Sequence, residues 1–327
     1  MKRMGIITVS REGYLNNDDL QMNCSMADML RAAITVGKSC NDAMSISCIE
    51  RLFRASAMLM TVNEYGAQQS SYFIASPTFN RLDPSEKGAM TYFLGMAVTK
   101  LIAERYFNVP WLMHLDVYRN SYDIESDKGG KPDFIGIANT HHSQGRWHIF
   151  ESKGRTGGFD RPAIIRGKEQ TLYLRTINNV KPSSRNAVQA YFYGKDQVLS
   201  GYLIDPVDNN EGVDIKLGLK DLFELYYKPF YDLMELLRHE IDPKKENFIS
   251  QIHSQYEITY IKPLNIYLGI SKIIRRLLSD FDEENFFEMM KQNEEKLSTI
   301  NSYLIDNEKK QFFSIGRDGI FVSLKIE

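Results

Sequence analysis

The sequence lacks the features that mark secreted, membrane-spanning and zinc-ribbon proteins. It contains 3 cysteines, an odd number with no Cys-x-x-Cys pair, which argues against a disulfide framework or a zinc ribbon. Its longest apolar stretch, Gly88–Val98, falls well short of the ~20 residues that cross a bilayer. The apolar run near the start of the chain, Met4–Ile7, is too short for a signal peptide. We therefore expect a cytoplasmic protein with no membrane partner.

A large net charge is also absent, because 40 Lys and Arg residues nearly balance 42 Asp and Glu residues and leave a net charge of -2. The charge is nevertheless uneven along the chain. Arg146 to Lys195 holds ten basic and three acidic residues, whereas Asp205 to Lys310 holds 21 acidic and 14 basic ones. A basic segment can attract a polyanion even when the total charge is near zero. We expect the middle of the chain to face a nucleic acid, and we hypothesise that the acidic C-terminal part covers it until a partner binds.

The hydrophobic content of 43% in 327 residues is enough for a sizeable core in one or two domains. The hydrophobic pattern divides the chain into three regions. These are a mainly helical N-terminal region at 1–83, an α/β core at 84–207 and a mainly helical C-terminal region at 208–327 that ends in a β-hairpin.

The two flanking regions carry mostly helical periodicity. In the N-terminal region the pattern predicts a strand at 4–9, helices at 26–38 and 41–60 with Asn41 or Asp42 as a cap, and a loop over 61–82 with a short strand around 72–74. In the C-terminal region it predicts helices at 221–240 and 264–304 and a hairpin over 312–326.

The middle region alternates helices with strands. Asp83-Pro84-Ser85-Glu86 predicts a helix start, with Asp83 as the cap, Pro84 in the first turn and Glu86 completing a capping box. The pattern predicts helices at 84–107 and 162–177, strands at 111–118, 134–138, 146–153, 188–193 and 198–204, and a loop over 119–131.

Two acids and a lysine are spaced so that they converge at one end of the predicted hairpin. Asp133 begins one strand, and Glu151-Ser152-Lys153 ends the next. Because side chains alternate along a strand, Glu151 and Lys153 point to one face about 6–7 Å apart, and antiparallel pairing brings Asp133 beside Glu151. Carboxylate oxygens suit a hard cation such as Mg²⁺, and a lysine can neutralise charge that develops on phosphorus. The predicted chemistry is hydrolysis of a phosphodiester.

The run Pro132-Asp133 … Glu151-Ser152-Lys153 resembles the signature of the PD-(D/E)XK nuclease superfamily. The resemblance covers about 84–205. It implies an α/β (α+β) fold with a restriction-endonuclease-like core, in which helices flank a mixed central sheet, and here with helical additions at both ends. It also implies cleavage that depends on Mg²⁺, with Mn²⁺ as a substitute. By the match, Asp133, Glu151 and the Ser152 carbonyl would bind the metal, and Lys153 would assist the nucleophile.

Further residues enter through the same resemblance. Many members add an acid from the first helix, and Glu104 is the candidate metal ligand there, a solvated charge near the helix end being the alternative. A subset carries a Gln-x-x-x-Tyr motif after Glu-x-Lys, but Tyr173 follows Gln170 one residue too early. Gln170 either contacts phosphate or faces water. The candidate nucleic-acid contacts, which flank the site, are Arg155, Arg161, Arg166 and Lys168.

The favoured hypothesis is a metal-dependent nuclease that cuts DNA as a restriction or anti-phage defence effector, the biological role being an analogy with the family. Cutting both strands with one site per chain calls for a homo-oligomer, and an ATP-coupled effector would need a separate ATPase or sensor subunit. One alternative is a non-catalytic nucleic-acid-binding or scaffold subunit of a defence complex. Another is an RNase that shares the site.

Overall fold

The computed structural model describes residues 4–36, 44–67, 70–115, 130–205, 211–237, 252, 254–306 and 312–324. Within these ranges the chain forms 8 helices and 15 strands, so the predicted mixture of helix and sheet is confirmed. None of the described helices has the length and apolar character that a bilayer crossing requires.

The first region contributes more strand than the sequence predicts. It forms β1 (Gly5–Glu12), β2 (Leu20–Cys24), α1 (Met26–Thr35), α2 (Met44–Thr61), β3 (Val62–Ala67), β4 (Ser70–Ala75) and α3 (Pro77–Asn80). The first strand and both long helices are confirmed, whereas the proposed caps of α2, Asn41 and Asp42, lie outside the described residues. The short strand predicted around 72–74 is confirmed as β4, whereas the loop predicted before it was wrong, because Val62–Ala67 is a strand that pairs with β4 as a hairpin.

The middle region follows the predicted order more closely. It forms α4 (Pro84–Tyr106), β5 (Trp111–His114), β6 (Phe134–Ile137), β7 (Trp147–Arg155), α5 (Arg161–Thr171), β8 (Leu174–Ile177), β9 (Ser184–Tyr193), β10 (Val198–Ile204) and β11 (Val213–Ile215). The capping box of Asp83 and Glu86 is present. The predicted helix at 162–177 was too long, since β-branched Thr176 and Ile177 favour the strand β8, which pairs with β11. Residues 116–118 of the first predicted strand and most of the predicted loop lie outside the described residues.

The last region holds a second sheet. It forms α6 (Leu219–Leu236), β12 (Tyr256–Ile261), β13 (Ile266–Ser271), α7 (Lys272–Ser279), α8 (Glu283–Asp306), β14 (Phe313–Ile315) and β15 (Ile320–Leu324). The predicted helix over 264–304 was wrong at its start, because Ile266–Ser271 lies between β12 and β15 in a four-stranded antiparallel sheet. The C-terminal hairpin is confirmed as the β14–β15 pair.

Nine strands make a mixed central sheet in the order β2-β1-β4-β10-β9-β7-β6-β5, with β3 added on β4 and β1 also pairing β10. Strands β5, β6 and β7 form an antiparallel meander, and β7 then continues through α5 into β9, which is parallel to it. Helices α4 and α5 lie on opposite faces of β7, since Gly95 of α4 meets the Ser152 side chain and Gly167 of α5 meets that of Glu151.

One hydrophobic cluster runs from Ile7 in β1 to Val322 in β15, so all three predicted regions contribute to it. A buried ion pair crosses the same interior: Lys100 of α4 and Asp318 of the C-terminal hairpin lie 3.2 Å apart, both fully buried. The C-terminal region therefore packs against the helix that supports the central sheet.

Candidate active site

Asp133 and Glu151 hold the ends of β6 and β7 together through reciprocal hydrogen bonds. The Asp133 backbone N–H donates to Glu151 Oε2 at 2.8 Å, and the Ser152 N–H donates to Asp133 Oδ2 at 2.9 Å. The antiparallel register that pairs Phe134 with Phe150 produces this arrangement. The structure thus brings the two acids together at the place that their spacing predicts.

Lys153 joins them on the same side of β7. Its Nζ donates to Glu151 Oε1 and, at 2.7 Å, to Gln170 Oε1. Gln170 lies in the last turn of α5, and its Nε2 donates to the Lys131 carbonyl at 3.1 Å. The ammonium is therefore held between a carboxylate and an amide. The sequence predicts that Gln170 either contacts phosphate or faces water, and it gives no sign that Gln170 orients Lys153.

The approach of α4 to the other face of β7 depends on two glycines. A β-carbon on Gly154 would lie 1.7 Å from the Thr91 carbonyl oxygen, and one on Gly95 would lie 2.9 Å from the Gly154 nitrogen. Helix and strand backbones are therefore in direct contact beside the site. The hydroxyl of Ser152 is buried in this contact and has no hydrogen-bond partner within the described ranges.

Glu151 is only 1% exposed. Burial, and secondarily the neighbouring charge of Asp133, raises the pKa of Glu151 to about 8, against the opposing effect of Lys153. Burial prevails because it removes the water that would otherwise stabilise the ionised carboxylate, and the Lys153 ammonium does not replace all of that hydration. A divalent cation would favour the ionised form of both acids, so the electrostatics of the pair fit an oxygen-liganded metal.

The donor set also agrees with Mg²⁺, which usually takes one or two carboxylates and fills its remaining positions with water and substrate oxygens. No group of three or more His, Cys, Asp or Glu residues in the described part of the chain is placed to hold a metal by itself. A closed cage of the kind that structural zinc prefers is therefore not formed by those residues. Asp133 and Glu151 offer the open type of site.

His114 is a residue near the site that sequence reasoning missed. Its Nε2 lies 4.0 Å from Asp133 Oδ1 and 3.4 Å from the Tyr92 hydroxyl. His114 ends β5 and pairs directly with Phe134, the residue after Asp133. The signal was present in the sequence, because an antiparallel neighbour of β6 must end where β6 begins.

Glu104 is not brought to this site. Its Oε2 accepts a hydrogen bond of 2.9 Å from Arg31, and its Oε1 accepts one of 3.0 Å from the Arg317 backbone. It lies nine residues beyond Gly95, which is over two helical turns from the contact of α4 with β7. The expected role of Glu104 as a metal ligand is therefore replaced by a link between α1, α4 and the C-terminal hairpin.

The four basic residues predicted to contact nucleic acid fall into two pairs. Arg155 donates to Asp160 at 2.9 Å, and Arg161 donates to Glu12 at 2.8 Å. Arg166 is exposed and Lys168 is half-buried on α5, and neither forms an ion pair with another described residue. Arg166 and Lys168 are the more available cations beside the site.

Acidic residues of α8 contact the turn between β6 and β7. Glu283 pairs with Arg146, Glu288 lies 3.1 Å from His141, and Glu294 accepts a hydrogen bond of 2.9 Å from Asn139. This turn is at the other end of β7 from Glu151. The contacts hold α8 on the sheet, and the hypothesis that the acidic region covers the basic helix α5 stays a prediction.

Comparisons of the chain with protein-family models, with curated proteins and with solved structures found no match. The function of the chain is therefore inferred from the geometry of the site.

Proposed function

We propose that the chain is a metal-dependent nuclease of the PD-(D/E)XK type that hydrolyses phosphodiester bonds in DNA. One observation carries the proposal: Asp133, Glu151 and Lys153 meet at one end of β6 and β7, and the buried acid among them has a pKa raised to about 8. A perturbed acid beside a second acid and a lysine is typical of a functional site. The order α4, β5-β6-β7, α5 and parallel β9 is the order that the resemblance implies.

Asp133 and Glu151 would bind Mg²⁺ together with the Ser152 carbonyl, and the ion would polarise the phosphate and lower the pKa of a bound water. Glu151 must lose its proton to act as a ligand, so binding of the metal and release of that proton are linked. Lys153 is held by Gln170 as well as by Glu151, and its ammonium therefore stays at the site when Glu151 turns toward a cation.

His114 would act as a positioning residue. Its Nε2 lies near the Asp133 oxygen that does not accept from Ser152, and the Tyr92 hydroxyl approaches the same nitrogen. A residue that contacts a metal-binding carboxylate without binding the metal itself orients that carboxylate and tunes its affinity for the metal.

The alternative of a non-catalytic binding or scaffold subunit is less well supported. Keeping Glu151 buried next to Asp133 costs folding free energy whenever Glu151 ionises, and a subunit that only binds has no use for that cost. An RNase would use the same residues, and the substrate panel below distinguishes the two. A role in restriction or anti-phage defence, and a homo-oligomer or an ATPase partner, are proposals that rest on the family analogy.

The test is a cleavage assay with the purified chain on supercoiled plasmid, linear duplex, single-stranded DNA and RNA, each with Mg²⁺, Mn²⁺ or EDTA. The variants are Asp133→Asn and Lys153→Ala, with Lys216→Ala, an exposed lysine outside the site, as the control. We expect metal-dependent cutting that both site variants reduce at least 100-fold and the control leaves unchanged. Cutting that survives both substitutions, or that needs no metal, would contradict the proposal.

A further inference from the structure

The face of the central sheet that carries Glu151 and Lys153 continues past helix α5. Residues directly opposite each other in neighbouring strands lie on one face, as do residues two apart in one strand. Arg155, two residues after Lys153, is opposite Tyr191 of β9. Tyr193 follows two residues later on the same strand. The face of the candidate site therefore extends along β9 to two tyrosines.

The same rule carries this face across to the far strands of the sheet. Tyr193 is opposite Val198 of β10, and Val198 is opposite Ile74 of β4. Tyr72, two residues before Ile74, is opposite Tyr65 of β3. Four steps between neighbouring strands separate β7 from β3, which is roughly 19 Å across the sheet. This distance is long enough to hold several unpaired nucleotides.

The aromatic side chains along this path are open to solvent. The exposed fraction is 66% for Tyr193, 65% for Tyr65, 39% for Phe159 and 37% for Tyr72. We call these four residues the aromatic row. Between them the face presents aliphatic or hydroxylated side chains of intermediate burial, namely Ile6, Thr8, Ser10, Val198, Ser200 and Tyr202.

Phe159 connects the aromatic row to the candidate site. It lies in the loop between β7 and α5, six residues after Lys153. Its ring centroid is 4.5 Å from that of Tyr202 and 5.8 Å from that of Tyr191. The row thus begins at the loop that leads out of the strand of Glu151.

A cavity of about 760 Å³ marks the other end of the row. Tyr65 and Ile74 line it together with six polar residues, namely Asn63, Glu64, Asn80, Lys195, Asp196 and Gln197. A volume of this size accommodates a group as large as a nucleoside, and the lining offers amides, an ammonium and two carboxylates to the donors and acceptors of its base and sugar. The row therefore runs from the candidate site to a polar cavity.

The charges along this face are largely compensated. Arg155 pairs with Asp160, and Arg161 pairs with Glu12, which also accepts from the Tyr202 hydroxyl. Surfaces that bind duplexes depend on many unpaired lysines and arginines that contact phosphates. Exposed aromatics on a sheet are typical of surfaces on which unpaired bases stack, where stacking adds to a smaller number of phosphate contacts.

We propose, resting on the nuclease function above, that the substrate is single-stranded nucleic acid or a single-stranded extension, whose bases stack on Phe159, Tyr193, Tyr72 and Tyr65. The strand then follows the exposed side of α5, where Arg166 and Lys168 are available to contact its phosphates, to the acids at the start of β6. Stacking tolerates every base, so the face gives affinity for unpaired strands without a defined recognition sequence.

The test is fluorescence anisotropy of a labelled 15-nucleotide DNA, the same sequence as RNA, and its blunt duplex. Binding is measured in EDTA with the full chain carrying Asp133→Asn, so that no cleavage interferes. Onto this background we place Y65A/Y72A/Y193A, the matched Y65F/Y72F/Y193F, and Tyr106→Ala. Tyr106 is 38% exposed on α4, the helix that covers the opposite face of the sheet.

We expect the parent to bind a single strand at least tenfold more tightly than the duplex. The triple alanine variant should lose at least tenfold in single-strand affinity and keep its duplex affinity, while the triple phenylalanine variant and Tyr106→Ala match the parent. Equal single-strand affinity of the alanine and phenylalanine variants would overturn the inference, as would tighter binding of the duplex. A change of oligomeric state in the alanine variant, without a change in nucleic-acid binding, would assign the face to a protein partner and also overturn it.

The same variants with Asp133 restored separate this inference from the proposed function. If cutting requires Asp133 and Lys153 but the alanine variant cuts single strand and duplex as the wild type does, the aromatic row is not the substrate surface and the nuclease stands. If single strands bind through the tyrosines but no metal-dependent cutting occurs, the nuclease proposal fails and the binding surface stands.

Discussion

Replacing Glu151 with glutamine should make the metal-free protein more stable at alkaline pH. The folded protein raises the pKa of Glu151 from 4.5 to about 8 through burial and the charge of Asp133. Between these values the folded chain holds a proton that the unfolded chain has released. Stability therefore falls as the pH rises through this window, by at most about 1.4 kcal/mol per pH unit.

The penalty reaches its full size above pH 8, where it is on the order of 3 to 5 kcal/mol. Glutamine keeps the shape of the side chain but cannot ionise, and its single carbonyl oxygen accepts either from Lys153 or from the Asp133 N–H. The stability of Glu151→Gln relative to the wild type should therefore increase by several kcal/mol from pH 5 to pH 9. Saturating Mg²⁺ should reduce this advantage at pH 9, because a metal that binds the ionised wild type stabilises it.

The assay is urea denaturation of both proteins in EDTA from pH 5 to pH 9. Subtracting one curve from the other removes the groups that titrate identically in both. Glu169→Gln, which removes an exposed acid of α5, is the matched control. A pH-independent difference between Glu151→Gln and wild type would refute the argument that burial holds a proton on Glu151.

Three further variants test other parts of the account. Gly154→Ala should lower the unfolding free energy by about 3 kcal/mol or more, because the new β-carbon would clash with the Thr91 carbonyl. The control Gly157→Ala, which has open space around it, should leave the unfolding free energy unchanged. Equal melting temperatures of the two variants would contradict this prediction. Asp318→Asn leaves Lys100 buried without its counter-charge, so the unfolding free energy measured by urea denaturation should fall by about 3–5 kcal/mol. A fall of less than about 1 kcal/mol would be inconsistent with a buried ion pair. His114→Gln should slow cleavage about tenfold without changing the melting temperature. The control His142→Gln, at an exposed histidine, should cleave at the rate of the wild type. Equal cleavage rates of the two variants would show that His114 is not part of the site.

The part of the site that could be predicted is the part that is local in the sequence. Asp133 and Glu151 belong to adjacent strands of one meander, so their spacing and the alternation of side chains are enough to bring them together. Lys153 follows from the same alternation. Nothing further along the chain has to be known.

The residues that were missed or misplaced depend on contacts between distant segments. Glu104 carries no local sign that Arg31 and the backbone of Arg317 take up its carboxylate, because those partners come from α1 and the C-terminal hairpin. Gln170 reaches Lys153 because α5 packs directly on β7, with Gly167 against the side chains of Glu151 and Lys153. Such pairings depend on tertiary packing, which periodicity does not report.

The fold shows the same division. The start of helix α4 could be predicted from Asp83 and Glu86, because a capping box is a local hydrogen-bond pattern. Strand β4 was predicted around Tyr72–Ile74, but its partner β3 was missed because β3 is polar, with Asn63, Glu64 and exposed Tyr65, and so lacks the buried run that marks a strand. That same polar face is the surface to which we assign single-stranded nucleic acid.

The most direct test of the central claim is the rate of cutting by wild type, Asp133→Asn and Lys216→Ala at equal concentration in Mg²⁺ and in EDTA. We expect the wild type and Lys216→Ala to cut in Mg²⁺ and not in EDTA, and the rate of cutting by Asp133→Asn in Mg²⁺ to be at least 100-fold lower. Cutting by Asp133→Asn at the rate of the wild type would contradict it and would place the active site elsewhere.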